Sequence, residues 1–250
     1  VILVTGAAGS VGQALCTRLD PEGHVGHDIN SMDVTALDQV RSIVRALKPH
    51  TIYHLAGAKH APEGELDPAH VAQVNIDGTL NVLEAAEEVG AKSIFSSTCK
   101  ACDPETAYGA SKLIAERAVI NAGGVVIRFH NIPESSGNVF RIWESLPERA
   151  PLPVTDCWRY FTPMAKAVEL LLAAPTLDPG RYCVEPGDPQ WMPNVAKRLY
   201  PDRKQVRIPR RRGDRFREPL HALCEEGFAI GSWLRIVSAH DPVHTAARAA

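Results

Sequence analysis

The sequence predicts an α/β protein built on a doubly wound parallel sheet, followed by a small C-terminal cap. Two observations predict it. Short β-branched runs alternate with longer amphipathic stretches in the first half, the pattern of a parallel sheet covered on both faces. After residue 130 the prolines at 133, 147, 151, 153, 163, 175, 179, 186, 189, 193, 201, 209 and 219 cut the chain into short pieces. Strands are expected at 1–5, 24–28, 51–56, 92–97 and 124–129, and helices at 10–19, 36–47, 67–89 and 106–122. With right-handed crossovers, a ligand would sit beyond the carboxyl ends of these strands. Residues 1–130 are read as the sheet domain. Residues 131–250 are read mainly as the cap, with helices at 138–146 and 191–199, strands near 181–184 and 204–208, and a helix near 163–173 returning to the sheet.

Composition narrows the partners. The 250 residues are 45% apolar, enough for a large core without disulfides, and the net charge of −2 gives no global field for nucleic acid or an anionic membrane. Six cysteines, with no secretory signal before them, are read as reduced thiols in a cytoplasmic protein. The longest apolar stretches, such as Leu170–Ala174, fall short of a membrane span. The chain opens on a strand without an initiator Met, so a few leader residues are expected before it, irrelevant to the fold. There is no internal repeat, and the Ala-rich end at 246–250 is expected to fray.

The segment VILVTGAAGSVGQAL runs a buried strand into Gly6, Gly9 and Gly12 and then into a helix with Val11, Leu15 and Leu19 on one side. Gly6 permits a tight turn, Gly9 lets backbone N–H groups approach a pyrophosphate, and Gly12 lets the helix pack close to the sheet. This is the dinucleotide-binding loop of a Rossmann domain, spaced G-x-x-G-x-x-G. Asp28, at the end of the second strand, can accept hydrogen bonds from ribose hydroxyls and would repel a 2′-phosphate, which favours NAD over NADP. Asp33 and Val34 fall where adenine would be contacted. Small residues Ala56, Gly57 and Ala58 form a second wall. The expected cofactor contacts are Gly6, Ala8, Gly9, Ser10, Val11, Gly12, Asp28, Asp33, Val34, Leu55, Ala56, Gly57, Lys59 and Asn75, with Tyr108 and Lys112 at the nicotinamide end.

Tyr108 and Lys112 lie four apart on an expected helix and share a face. An ammonium and an oxidised nicotinamide beside a phenol both push its pKa down from about 10, so Tyr108 can take a proton from a substrate hydroxyl while the carbon bearing it is oxidised. Thr98, ten residues earlier, can hold the same hydroxyl in line.

These blocks resemble the extended short-chain dehydrogenases/reductases, and within them the nucleotide-sugar epimerase/dehydratase branch that includes bacterial UDP-N-acetylglucosamine 4,6-dehydratases. The resemblance rests on TGAAGSVG, HLAGAKHAP, VNIDGTLNVLEAA, STCKACDPETAYGASKLIAE, RFHN, SSGNV, WRYF and RRRGDRFREPL, and covers nearly the whole chain. It implies Thr98, Tyr108 and Lys112 as catalytic residues and Lys100 as a base or substrate contact. Asn131, Arg159 and Arg211 would hold a nucleotide diphosphate, Asp214 its ribose, and Asn75 would act as a structural relay behind the site. It also implies a homodimer through the helices at 67–89 and 106–122, and a sugar-nucleotide substrate.

One departure bears on the reaction. Where these dehydratases read S-T-D-K, the chain has Ser97-Thr98-Cys99-Lys100, a thiol in place of the acid that protonates the departing hydroxyl. A thiol is the weaker acid. The expected activity is therefore NAD-dependent epimerisation at carbon 4 of a sugar nucleotide, with 4,6-dehydration and a non-catalytic NAD-binding regulatory role as the alternatives. Pro133, Glu134 and Ser136 also depart from the family pattern, so Glu134 is placed at the substrate, as is His60. Cys99-x-x-Cys102 lacks a second pair or spaced histidines and is read as two ordinary thiols, with no metal site. His54 is read as a core residue. The arginines at 207, 210, 211, 212, 215 and 217 suit a solvated surface in part, with at least one available for a diphosphate.

Overall fold

The computed structural model describes residues 1–242; the Ala-rich end lies outside them. An eight-stranded sheet forms the centre. In chain order its elements are β1 (Ile2–Thr5), α1 (Ser10–Cys16), β2 (His24–His27), α2 (Leu37–Leu47), β3 (Thr51–His54), α3 (Ala61–Gly64), α4 (Pro68–Ala72), α5 (Gly78–Val89), β4 (Lys92–Thr98), α6 (Ala107–Asn121) and β5 (Val125–Phe129). The remainder comprises α7 (Val139–Ser145), β6 (Leu152–Thr155), β7 (Trp158–Arg159), α8 (Met164–Ala173), β8 (Gly180–Val184), β9 (Gln190–Trp191), α9 (Met192–Leu199), β10 (Gln205–Ile208), β11 (Glu225–Ile230) and β12 (Trp233–Ser238). The sheet order is β11-β12-β8-β5-β4-β3-β1-β2. From β2 across to β8 the strands run parallel, whereas β12 and β11 are antiparallel additions.

Helices cover both faces, as the apolar runs require. Leu15 of α1 and Ala167, Val168, Leu170 and Leu171 of α8 bury one face with Val4, Tyr53 and Ile127. Val40 and Val44 of α2 meet Val82, Ala85 and Ala86 of α5 on the other, over Leu3 and Ile52. α6 continues that face through Ala115, Val119 and Ile120. The cap has its own smaller core of Trp143, Leu152, Val154, Met192 and Val195. It is framed by two ribbons, β10 with β6 and β7 with β9.

Two expectations change. The strand near 181–184 is expected in the cap, yet β8 pairs with β5 in the main sheet and is wholly buried, and the unanticipated hairpin β11–β12 extends it. The helix expected over 67–89 is broken by a π-helical turn at Gln73–Asp77 between α4 and α5. Such turns concentrate at functional sites. This one delivers Asn75, whose amide accepts from Ala58 N at 2.9 Å and donates to Ala58 O and Ser111 Oγ at 3.0 Å.

Candidate active site

The sheet order reverses between β1 and β3, and the crevice above that switch point opens into a cavity of about 780 Å³ between sheet and cap. Its size suits a small-molecule site. Gly6 has φ +67°, and a Cβ there would meet Ala56 N at 2.6 Å. At Gly12 a Cβ would meet Gly6 O at 2.3 Å, so the turn and the close helix approach both require glycine. Gly6, Gly9, Ser10, Val11 and Gly12 line one end of the cavity, with Asp28, Asp33, Val34, Leu55, Ala56, Gly57 and Lys59 beside them. Asp28 Oδ2 accepts from Ala8 N at 3.0 Å, which ties the second strand to the glycine loop and keeps Ala8 itself off the lining. Lys59 Nζ lies 3.0 Å from Ser136 Oγ, and Ser10 Oγ accepts from Ser136 N at 2.9 Å, so the loop at 133–138 straps across the pyrophosphate end. The glycine cradle, the carboxylate at the β2 end and the small-residue wall fit a nicotinamide dinucleotide.

The residues expected at the nicotinamide end, Thr98, Tyr108 and Lys112, come together where β4 and α6 meet. Thr106 caps α6 by accepting from Gly109 N at 3.0 Å, which sets Tyr108 in the first turn and Lys112 one turn on. Lys112 Nζ donates to Ser96 O at 3.1 Å and lies 4.4 Å from the Phe95 ring centroid. A Cβ on Gly57 would lie 3.0 Å from the same nitrogen and from Asn75 Oδ1, so the wall passes close to the ammonium here. Burial pushes Lys112 down to about 8, partly opposed by Glu116 a turn further along. Burial also raises the Tyr108 phenol. The influences that favour its phenolate in the protein alone are the Lys100 charge first and a Thr98 hydrogen bond second, not the Lys112 ammonium that the helix spacing suggested.

Cys99 is closed off from the cavity. Its thiol is buried and pushed up to about 12 by desolvation and by Glu218, whose Oε2 it faces at 3.5 Å. Arg159 lies between Glu218 and Asp214, with Nε 3.6 Å from Glu218 Oε1 and Nη2 3.9 Å from Asp214 Oδ1. Arg211 pairs with Asp214 at 3.2 Å and keeps its side chain 63% exposed at the cavity mouth. Asn131 lines the cavity, but its amide nitrogen donates to Tyr160 O at 3.0 Å and to Glu218 Oε2 at 2.7 Å. His60 also lines it. Glu134 does not: it accepts from Met164 N at 3.2 Å and so closes the start of α8.

The other arginines of the 207–217 run serve the surface and the cap. Arg207 pairs with Asp156 at 3.1 Å, Arg215 donates to Cys102 O at 2.7 Å, and Arg210 lies over the Phe216 ring. His54 is a core residue that bonds Thr5 Oγ1 at 2.8 Å and Thr79 Oγ1 at 3.1 Å, with burial pushing it down to about 3. Among the described residues no His/Cys/Asp/Glu cluster could hold a metal, and no helix is long and apolar enough to cross a membrane. Sequence reading missed Glu218, whose neighbours in RFREPL look like solvated charge, and missed Ser136 as a strap.

A Rossmann sheet with a Tyr-x-x-x-Lys helix lining its crevice and a cap above has the architecture of an extended short-chain dehydrogenase/reductase. Residues 25–226 match the polysaccharide biosynthesis protein family, and the chain belongs to it. It is 31% identical over 237 residues to the probable polysaccharide biosynthesis protein EpsC of Bacillus subtilis (strain 168), covering 79% of this chain and 40% of that one. The chain thus spans well under half the length of that relative. It is also 31% identical over 136 residues to a UDP-N-acetylglucosamine 4,6-dehydratase (inverting) of Campylobacter jejuni, 49% of this chain and 41% of that one. In fold it resembles the UDP-glucose 4-epimerase of Thermus thermophilus solved with NAD, with a TM-score of 0.77 and 23% identity over 88% of this chain and 89% of that one.

Proposed function

We propose that the chain is an NAD-dependent sugar-nucleotide epimerase that inverts carbon 4 through a transient 4-keto sugar. The observation that carries this reading is the intact Thr98, Tyr108 and Lys112 set beside a buried Cys99 that is a far weaker acid than the aspartate it replaces. A dinucleotide held by its pyrophosphate at the glycine loop would supply, through its nicotinamide, reversible two-electron oxidation at carbon 4. Tyr108 takes the proton from the carbon-4 hydroxyl and returns it, Thr98 holds that hydroxyl, and Lys100 supplies the positive charge that makes a phenolate accessible, with Lys112 one turn along the same helix as Tyr108. Asn131, Arg159, Arg211 and Asp214 hold the diphosphate and its ribose, His60 contributes to the sugar subsite, and the cap closes over them. Rotation of the keto sugar between the two half-reactions inverts the centre.

The test is incubation with UDP, ADP, GDP and dTDP sugars in deuterated water, with NMR of the products. A carbon-4 epimer without deuterium at carbon 5 is the expected result. Elimination passes through proton exchange at carbon 5, so label there would replace this reading with 4,6-dehydration, the chemistry named for the Campylobacter relative.

Asp28 supports NAD as the cofactor, because a fixed carboxylate at the β2 end opposes a 2′-phosphate. Replacing Asp28 with Ser is expected to narrow the NAD-over-NADP preference by about tenfold or more, read as the ratio of dissociation constants. An unchanged ratio would remove Asp28 from cofactor selection. Leu80 on α5 and Ile114 on α6 are half-exposed apolar residues on the helices proposed for a homodimer. All six cysteines are free thiols, in keeping with a cytoplasmic protein.

A further inference from the structure

Glu218 is a buried carboxylate bordering the reacting end, and no role derived above uses it. It lies in the segment that follows β10, with 1% of its surface exposed. Its partners come from three other parts of the chain. Oε1 pairs with Lys100 Nζ at 2.8 Å and faces Arg159 Nε at 3.6 Å, while Oε2 accepts from Asn131 Nδ2 at 2.7 Å and faces Cys99 Sγ at 3.5 Å. Cys99 and Lys100 follow β4, Asn131 follows β5, and Arg159 belongs to β7. A cap residue therefore reaches down to the Rossmann residues beside Tyr108.

A carboxylate in this position has two conceivable uses. It could stand in for the acid lost at residue 99, or it could be the counter-ion that places Lys100. Both of its oxygens are taken by N–H donors, and a second cation is close, so the ionised form is held firmly. The lysine and arginine charges and the lysine and asparagine hydrogen bonds together outweigh desolvation and bring its carboxyl down to about 2. A group that is ionised throughout the neutral range has no proton to give a leaving hydroxyl.

We propose that Glu218 is a positioning residue: it pairs with Lys100 and fixes its ammonium beside Tyr108, so that Lys100 serves as a stationary positive charge and is withheld from abstracting a proton. This rests on the oxidation-reduction reading of the site given above and deepens it. Lys100 keeps 23% of its side chain exposed, and the charged or titratable groups that act on it are Glu218, Cys99 and Tyr108. Burial alone would favour the neutral amine; Glu218 reverses that and pushes Lys100 up. The ammonium in turn is the largest influence favouring the Tyr108 phenolate. His130, which also feels both Glu218 and Lys100, is itself pushed down to about 4 by burial and stays neutral near pH 7. Elimination from a keto sugar needs a base for the carbon-5 proton and an acid for the leaving hydroxyl. With Lys100 fixed as a cation, residue 100 supplies no base for the carbon-5 proton, and Cys99, a buried thiol pushed up to about 12, is a poor acid for the leaving hydroxyl.

The test is competitive acetylation of Lys100 with acetic anhydride between pH 7 and 11, on the protein without substrate, read by peptide mass spectrometry. The midpoint of the pH profile is the readout, because a purely structural role would leave it unmoved. In the wild-type protein it is expected above the ordinary lysine value of about 10.4. In Glu218→Gln it is expected to fall by about one pH unit or more, a tenfold gain in the reactive fraction below the midpoint, whereas Glu218→Asp stays near wild type. A wild-type midpoint below about 9 would overturn the proposal even if Glu218→Gln did not fold. So would a folded Glu218→Gln protein with an unshifted midpoint. The measurement uses no sugar nucleotide, so it stands apart from the substrate panel: a pinned Lys100 with no conversion of any sugar would discard the epimerase reading and leave the pairing intact.

Discussion

Replacing Tyr108 with Phe is expected to lower turnover of the sugar nucleotide by about 10³-fold while dissociation constants for cofactor and nucleotide change little. The phenol is the group that the structure sets at the reacting end with both a polarising hydroxyl and cationic neighbours. Thr98 ends β4, Lys100 follows it, and Lys112 is one turn along α6 from Tyr108. A positioned general base contributes about 10² to 10⁴ in rate, and loss of the hydroxyl removes that contribution without altering the ring that fills the site. Tyr108 is 8% exposed, so phenylalanine keeps its packing. The check is a kcat measurement beside calorimetric binding of cofactor and nucleotide. A loss confined to KM would assign Tyr108 to binding, and a loss below about tenfold would remove it from the chemistry.

Replacing Glu116 with Ala is expected to destabilise the protein by about 3–5 kcal/mol, the cost of leaving buried charges without their partner. Glu116 is fully buried one turn beyond Lys112. Its Oε1 accepts from Ser97 Oγ at 2.5 Å and Arg128 Nε at 2.8 Å, and its Oε2 accepts from Arg128 Nη2 and Arg181 Nε, each at 2.7 Å. Arg128 also meets Glu225 at 2.6 Å and 2.8 Å, and Arg181 reaches Asp241 at 3.2 Å. This network ties α6, which carries Tyr108 and Lys112, to β5, β8 and the β11–β12 hairpin. Alanine would remove the carboxylate shared by two guanidinium groups that are each 1% exposed, leaving Arg128 to Glu225 and Arg181 to Asp241. Urea denaturation followed by circular dichroism provides the measurement. Glu116→Gln, which keeps part of the hydrogen bonding, is expected to fall between wild type and Glu116→Ala. A cost below about 1 kcal/mol for alanine would mean that water reaches these arginines and that the network is not a staple.

The features legible in the sequence are those whose physics is local. A strand that runs into spaced glycines and then a helix builds the dinucleotide loop from its own neighbours. Apart from 67–89, every helix expected between residues 10 and 173 appears within a few residues of its limits. Tyr108 and Lys112 share a face because of helical spacing alone. The hairpin β11–β12 left a signal, a Gly231-Ser232 turn between two apolar runs. That signal is masked because β11 begins Glu-Glu-Gly and because the proline-broken half of the chain suggests a cap alone. The break in the 67–89 helix left no signal in its apolar pattern, since it answers to the hydrogen-bonding demands of Ala58 and Ser111 on Asn75.

The electrostatics of the site belong to the tertiary structure. Spacing places Lys112 beside Tyr108, but the charge that acts on the phenol is chiefly that of Lys100, held by a glutamate from the far end of the chain. A carboxylate among six arginines reads as solvated until the cap folds over it, and Glu116 reads as one more charge on a helix until two strands bring their arginines to it. The sequence alone determined the first five strands of the sheet, the glycine loop, the Tyr-x-x-x-Lys pair and the thiol at residue 99. Tertiary structure decided which charges face one another in a buried place, because burial and long-range contact, and not residue type, set the protonation of each group.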